Sequence, residues 1–452
     1  MRTAHRFLWI MLAIVVVSCK YGGGNGMRAA SATLTVDPTE VTLGQSATLT
    51  WSTNGAGCTA SGDWSGAQDA SGTLTVTPDT AGAHTYSLVC TGGSYGNSNM
   101  VSATLTVDAA TSSSFSMSAL ISDGSVQAAT TDAKLVNPWG IVLAPGAPAW
   151  VANNGTQSST VYDGTGTPVP LVVDLPAGLN GDADATGIVS NASTDDFKVT
   201  KGATTAAARF LFAGENGTIM GWSPSVDNTH AQIGYDDGAG HASYTGLAIA
   251  NDGTANHLYA ADFANGKVDV LDGTFTKVTV AGGFTDSNLP DGYAPFGIQA
   301  VTIGADTRIV VAYAKRDASG DETVGAGLGV VNVFDTAGTL VTHLVPEGGA
   351  LNAPWGIALA PADFGALGNK LLIGNFGDGV INGYDPTDGT FAGSLKNSAG
   401  DPIATPGLWG IAFGNGGLAG AKDTLFFASG PHTWRGATEQ SVHGLLGAIT
   451  PA

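Results

Sequence analysis

Asn137-Pro138-Trp139-Gly140-Ile141 is echoed two hundred residues later by Ala353-Pro354-Trp355-Gly356-Ile357. Four further stretches repeat the glycine of its last three positions, flanked by an aromatic or Thr and by an aliphatic residue: Thr186-Gly187-Ile188, Thr245-Gly246-Leu247, Phe296-Gly297-Ile298 and Trp409-Gly410-Ile411. The glycines are 47, 59, 51, 59 and 54 residues apart. A period near fifty with apolar strand-like runs between is the signature of a four-stranded propeller blade. Each glycine opens a strand. A second follows at Ala149–Ala152, Phe210–Ala213, Leu258–Ala261, Ile309–Ala312, Leu371–Gly374 and Leu425–Ala428. Third strands run into Asp turns, as at Val161-Tyr162-Asp163-Gly164 and Val270-Leu271-Asp272-Gly273. The first five repeats also have a fourth strand, whereas the sixth ends at Leu445–Thr450 without one. The strand-like piece Phe115–Ile121 precedes the first repeat and is expected to complete the sixth sheet. That closure removes the free sheet edges on which such sheets would aggregate.

Outward from the repeats, residues 31–108 alternate with period two: Ala32–Val36, Ser46–Trp51, Thr73–Val76, Tyr86–Cys90 and Ala103–Val107. Short alternating strands over this length predict a small two-sheet sandwich. Residues 109–114, Ala-Ala-Thr-Ser-Ser-Ser, read as a linker to the propeller at 115–452. The predicted fold is all-β: a six-bladed β-propeller preceded by a small β-sandwich.

Residues 1–18 have the layout of an export signal. Arg2 and Arg6 precede an unbroken apolar run from Phe7 to Val17, too short to span a bilayer comfortably. The run ends in Val16-Val17-Ser18-Cys19, which resembles the bacterial lipobox; that resemblance implies lipidation of Cys19. The other reading is ordinary cleavage with Cys19 a bystander. The chain has three cysteines; Cys58 and Cys90 make a pair within the sandwich, and Cys19 is the odd one. Residues 19–30, with Gly22-Gly23-Gly24-Asn25-Gly26, read as the lipidated Cys and a flexible tether. Export makes oxidation of Cys58 with Cys90 the expectation. Localisation is then the bacterial envelope, on the outer membrane of a Gram-negative cell, with the membrane itself a partner through the lipid.

The sandwich segment resembles the bacterial immunoglobulin-like modules of secreted proteins. Trp51 or Trp64 is expected on the disulfide, while Tyr86 stands four residues before Cys90, not at the tyrosine-corner spacing. The repeats resemble NHL-type propellers. Leu289-Pro290-Asp291-Gly292-Tyr293-Ala294-Pro295-Phe296-Gly297 and the terminal Gly444-Leu445-Leu446-Gly447-Ala448-Ile449, with the stretches already quoted, look like a family of uncharacterised exported bacterial propellers. That resemblance implies fold and compartment, not chemistry.

The chain is acidic, with 37 Asp and Glu against 17 Lys and Arg for a net charge of −20, so nucleic acid is excluded as a partner. Many acids adjoin glycine, which reads as turn chemistry, with a calcium-binding cluster as the alternative. In a propeller the residues before the repeat glycines form a ring. Trp139, Phe296, Trp355 and Trp409, with Thr186 and Thr245, are therefore either a stacking platform for a flat ligand or wedges between blades. Asn153, Glu215, Asp262, Lys315, Asn375 and His432 follow the second strands and complete the candidate mouth. Lys315-Arg316 opens a long acidic loop, Asp317–Gly327, either a solvated insertion or an anion-binding gate. His432, Trp434, Arg435, Glu439 and His443 occupy an irregular stretch of the last repeat and offer a His–Glu base or metal pair. By fold-level analogy with calcium-dependent six-bladed lactonases, Glu215, Asn153, Asn375 and Asp262 form a possible ion set. No phosphate-binding loop, Gly-x-Ser-x-Gly elbow or spare thiol is present. The leading expectation is a cell-surface binding or scaffold lipoprotein recognising a glycan, peptide or small molecule. The rival is a hydrolase, lactonase or lyase, with or without calcium.

Overall fold

The computed structural model describes residues 30–43, 45–92, 96–108, 112–435, 438–441 and 443–452, with backbone alone over 432–435 and 438–441. The chain divides into two compact units between Ala110 and Thr111. The sequence reading of Cys19, its signal and its tether falls outside the described residues.

The first unit is a two-sheet sandwich. Ala32–Asp37, Ala47–Thr53 and Ser71–Val76 make one sheet. Glu40–Thr42, Val101–Asp108, Gly82–Thr91, Gly57–Gly62 and Gly66–Gln68 make the other. Alternation turns every second side chain inward, and Leu34, Val36, Leu49 and Trp51 from one sheet meet Leu88, Leu105 and Val107 from the other. Cys58 and Cys90 lie opposite one another on paired strands and are disulfide-bonded inside this core. Trp51 and Trp64 share it, edge to face at 5.4 Å. Three strands escaped the sequence reading, at 40–42, 57–62 and 66–68. They are short or built of Gly, Ala, Ser and Thr, and carry almost no hydrophobic alternation.

The second unit is a six-bladed propeller. Five sheets of four antiparallel strands follow in chain order, with inner strands Pro138–Val142, Ala185–Ser190, Tyr244–Asn251, Tyr293–Ile303 and Pro354–Leu359. In the sixth, Leu408–Phe413, Leu425–Ser429 and Leu445–Pro451 are joined by Phe115–Ser122 as fourth strand. Its register runs from Leu445 opposite Ser122 to Pro451 opposite Phe115. The ends of the unit thus zip one sheet together, as the missing fourth strand in the last repeat implied. Second strands such as Ala149–Asn153 and Phe210–Gly214 are buried along their whole length and read as largely apolar runs. Fourth strands such as Pro168–Asp174 alternate between buried and open positions, as an outer strand must.

The repeat glycines explain themselves in the ring. Every inner strand bulges at or beside its glycine, where the strand meets the inner strand of the next blade. A methyl on Gly140 would lie 2.5 Å from the Thr186 carbonyl oxygen, and one on Gly187 2.4 Å from the Leu247 nitrogen. One on Gly297 would sit 2.1 Å from the Trp355 oxygen, one on Gly356 2.5 Å from the Trp409 oxygen, and one on Gly410 2.5 Å from the Trp139 oxygen. Gly246 is looser, with 3.2 Å to the Phe296 oxygen. Each blade leans on the next, and the sixth leans on the first.

Blade six inserts the hairpin His432–Arg435 with Thr438–Ser441 between its second and third strands, and two further insertions correspond to the two 59-residue repeats. Blade two adds a hairpin, Lys198–Lys201 with Thr204–Ala207, between its first and second strands. Blade four adds the loop after Lys315, between its second and third strands. Antiparallel connectivity puts them on opposite faces. Below, the mouth face is the one where inner strands begin.

Candidate functional site

The aromatic residues that precede the repeat glycines do converge, and they converge on each other. Trp139 and Trp409 stack at 3.5 Å; Trp139 and Trp355 meet edge to face at 6.0 Å, as do Trp355 and Trp409. Trp139 of blade one reaches within 6.4 Å of Phe296 of blade four, directly across the ring. Exposure falls to 6% for Trp139, 8% for Trp355, 2% for Trp409 and 1% for Phe296. Such rings have no free face, so the stacking platform expected for a sugar is instead a plug across the axis. The physical reason is the radius: six inner strands in backbone contact leave room at the centre for their own side chains and little else. Beneath the plug lies an axial cavity of ≈ 30 Å³, lined by Gly140, Gly187, Gly410, Ile141, Ile188 and Ile298 among others, which is room for a water or two.

Thr186 and Thr245 serve the same ring differently. Their hydroxyls donate to the carbonyls of Tyr244 (2.6 Å) and Phe296 (2.8 Å) in the following blade. The Trp355 indole N–H donates to the Thr245 carbonyl at 2.9 Å, from blade five to blade three. Phe263 and Phe376 complete the plug; Phe376 stacks on Trp409 at 4.2 Å. Sequence reasoning missed both, although each directly follows a second strand, in Asp262-Phe263 and Asn375-Phe376.

A one-way hydrogen-bond chain leads out of the plug. The Trp409 indole N–H donates to Asn137 Oδ1 at 3.2 Å, Asn137 Nδ2 to Asn154 Oδ1 at 3.1 Å, and Asn154 Nδ2 to Glu215 Oε2 at 2.8 Å. It joins blades six, one and two. Asn137 holds its place with a φ of 45°, which Asn tolerates better than most residues. Asn137 and Asn154 were not singled out from sequence; their neighbours Trp139 and Asn153 were. Burial lifts the Glu215 carboxyl to about 7, and the charges of Asp184 and Asp321 push the same way against the Asn154 hydrogen bond. Asp184 is itself raised, first by burial, and accepts from Gln157 at 2.9 Å.

The other second-strand residues face their own blades. Asp262 is fully buried, accepting from the backbone of Ser243, from Asn265 at 2.8 Å, and pairing with Lys267 at 3.4 Å. Asn375 donates to the Ala350 carbonyl and Asp378, and Asn153 to Thr160 at 2.9 Å. The side-chain oxygens of Asn153 and Asn375 are buried without a partner. Of the calcium set Glu215, Asn153, Asn375 and Asp262, the structure thus ties Asn153, Asn375 and Asp262 to hydrogen bonds near their own strands and Glu215 to Asn154. Among the described residues no three His, Cys, Asp or Glu side chains form a metal-holding group. The basic pair is also committed. Lys315 lies 5.9 Å over the Tyr293 ring, and Arg316 donates to the carbonyls of Phe263 and Ala264 in blade three. Of the predicted anion gate at Lys315-Arg316, the Arg316 Nη1 is thus tied to blade three.

The side chains of His432, Trp434, Arg435 and Glu439 lie outside the described residues; their backbone forms a hairpin, with His432 opposite Ser441 and Trp434 opposite Glu439. His443 is described, and its Nδ1 lies 3.0 Å from Asp123, which precedes the first blade.

The fold and this mouth define a six-bladed β-propeller with an aromatic-filled axis, carried with a disulfide-bonded β-sandwich. No protein-family model matches the chain. Two uncharacterised proteins of Acanthamoeba polyphaga mimivirus are each 34% identical to it. One matches over 301 residues, 65% of this chain and 72% of its own length; the other over 304 residues, 65% and 77%. The chain belongs to the family of these mimivirus proteins. They are viral, and so give no support to the bacterial source that the lipobox resemblance implies. Solved structures with some likeness include a protein of unknown function from Bacteroides thetaiotaomicron, with TM-score 0.45, 11% identity, and coverage of 93% of this chain and 98% of that one. A virginiamycin B lyase from Staphylococcus aureus has TM-score 0.38 and 12% identity, over 74% and 99%. The PQQ-bound aldose sugar dehydrogenase from Streptomyces coelicolor has 0.39 and 13%, over 75% and 100%. At these scores they add nothing to the fold or the chemistry described above.

Proposed function

We infer that this protein is a displayed binding and scaffold module. A lipid on Cys19 holds it to an envelope membrane, the sandwich serves as an immunoglobulin-like spacer, and the propeller is a rigid ring presenting loops to a glycan, peptide or small molecule. The observation that carries this reading is the plug. At the centre of the ring, where a reaction chamber would sit, Trp139, Phe296, Trp355 and Trp409 fill the space with their own side chains. Membrane fractionation of the full chain tests the display. Cys19→Ser should move the protein from the membrane to the soluble fraction, and unchanged membrane retention would refute the anchor.

One observation favours the rival, an enzyme of the hydrolase or lyase class. Glu215 titrates near neutrality at the mouth, which suits a general acid or base. Turnover of lactones that disappears with chelator, or with Glu215→Gln in a folded protein, would replace the binding reading.

A further inference from the structure

On the face opposite the mouth, the blade-two insertion builds a groove that the aromatic plug does not touch. Its volume is ≈ 600 Å³, within the range of small-molecule sites. One wall is the Ala144–Ala147 turn of blade one; the other is Ser190–Thr194 and Ala206–Phe210 of blade two. Phe210 touches the groove only at its edge, being 6% exposed with its ring packed on Trp150 at 4.0 Å in the blade core. Ser190 and the exposed Ser225 are in the lining, as is Ser193, whose Oγ accepts from the backbone N–H groups of Asp195 and Asp196. Asn191 fixes the insertion, donating to the carbonyls of Asp196 and Ala208 while its own oxygen takes the Ser193 N–H.

Arg209 decides what fits. It lines the groove and is exposed. The neighbouring bases are spoken for, Lys198 by Asp195 and Lys201 by Asp227, whereas no carboxylate pairs with Arg209 among the described residues. On a chain of net charge −20, an unpaired guanidinium in a ligand-sized groove is an attraction for one negative group against a repelling background. Its planar fork matches a carboxylate in two parallel hydrogen bonds. Serine hydroxyls beside it match the hydroxyls of a sugar.

We propose that the groove between blades one and two binds a sugar acid, with Arg209 holding the carboxylate and the serines its hydroxyls. This deepens the binding reading by giving it a place and a ligand class, and rests on it. The probes are sodium D-glucuronate and D-glucose, which differ in one carboxylate, titrated calorimetrically into the full chain. Glucuronate should bind at least tenfold more tightly than glucose, and more weakly as salt rises. Arg209→Gln should cost at least tenfold for glucuronate and leave glucose unchanged, while Arg209→Lys keeps part of the affinity. Both variants should melt at the wild-type temperature, because the side chain is exposed and unpaired. Equal affinity for the two sugars, no binding of glucuronate, or full affinity in Arg209→Gln would each overturn the site. Sulfate binding as tight as glucuronate would overturn the ligand class. None of these results bears on membrane anchoring, which Cys19→Ser reads separately.

Discussion

Placing a methyl on Gly297 drives it to 2.1 Å from the Trp355 carbonyl oxygen and 2.8 Å from its carbon. Ordinary contact requires more than 3 Å, so the inner strands of blades four and five must part by roughly 1 Å, a distortion of packed backbone rather than of a free side chain. Overpacking of this kind costs about 1–3 kcal/mol, and backbone on both sides puts Gly297→Ala at the upper end. Gly246 occupies the equivalent place in blade three, but its methyl would find its nearest atoms at 3.2 Å. None of the six repeat glycines has a positive φ, so alanine also removes unfolded-chain freedom worth about 0.4–1 kcal/mol. For Gly246→Ala the two effects nearly cancel. Calorimetric melting of the full chain should show the propeller transition of Gly297→Ala, with a net cost of about 2–2.6 kcal/mol, lowered by roughly 4–5 °C at about 2 °C per kcal/mol, and Gly246→Ala within about 2 °C of wild type. Equal shifts in the two variants, or a larger one for Gly246→Ala, would refute the explanation of the repeat glycines as blade-to-blade contacts.

Three further outcomes are expected. Glu215 carries a raised carboxyl, so between its unfolded value near 4.5 and about 7 the folded protein holds a proton that the unfolded chain releases. Stability from this group is complete below 4.5 and is lost as pH rises through 7; urea midpoints should fall from pH 5 to pH 8 in wild type and less in Glu215→Gln. Cys58→Ser with Cys90→Ser should destabilise the sandwich by about 3–4 kcal/mol and leave the propeller transition in place, as differential calorimetry would resolve. Trp409→Ala removes the ring that stacks on both Trp139 and Phe376 and should cost the propeller about 3–5 kcal/mol in urea unfolding.

The period and the closure were legible because both rest on residue types with few substitutes. A glycine recurs at every blade and is forced by close backbone approach at five of the six, and a sheet short of one strand leaves a visible gap in the last repeat. The ring of Trp139, Phe296, Trp355 and Trp409 was legible as a ring. Its use was not, since ring radius decides between a platform and a plug and radius is not written locally. Likewise Asp262, Asn375 and Asn153 stood at the expected level, but a polar residue at a strand end serves its own turn or the mouth according to a side-chain direction that spacing does not encode. The chain from Trp409 through Asn137 and Asn154 to Glu215 crosses three blades and joins residues up to 272 positions apart, which no local pattern announces. The blade-two hairpin left only its length, in the 59-residue interval, because Thr204–Ala207 has no hydrophobic alternation.

The most direct measurement joins the two ends of the ring. Ser116 and Thr450 face each other in the closing pair, and neither is buried. In a chain carrying Cys19→Ser, Ser116→Cys with Thr450→Cys should oxidise to an intramolecular crosslink in the folded state, faster on a reducing-agent-free gel than either single variant forms any product. The propeller transition should hold or rise. A pair of thiols that stays reduced in the native protein, or that links only after unfolding, would contradict a ring closed by its own first and last strands.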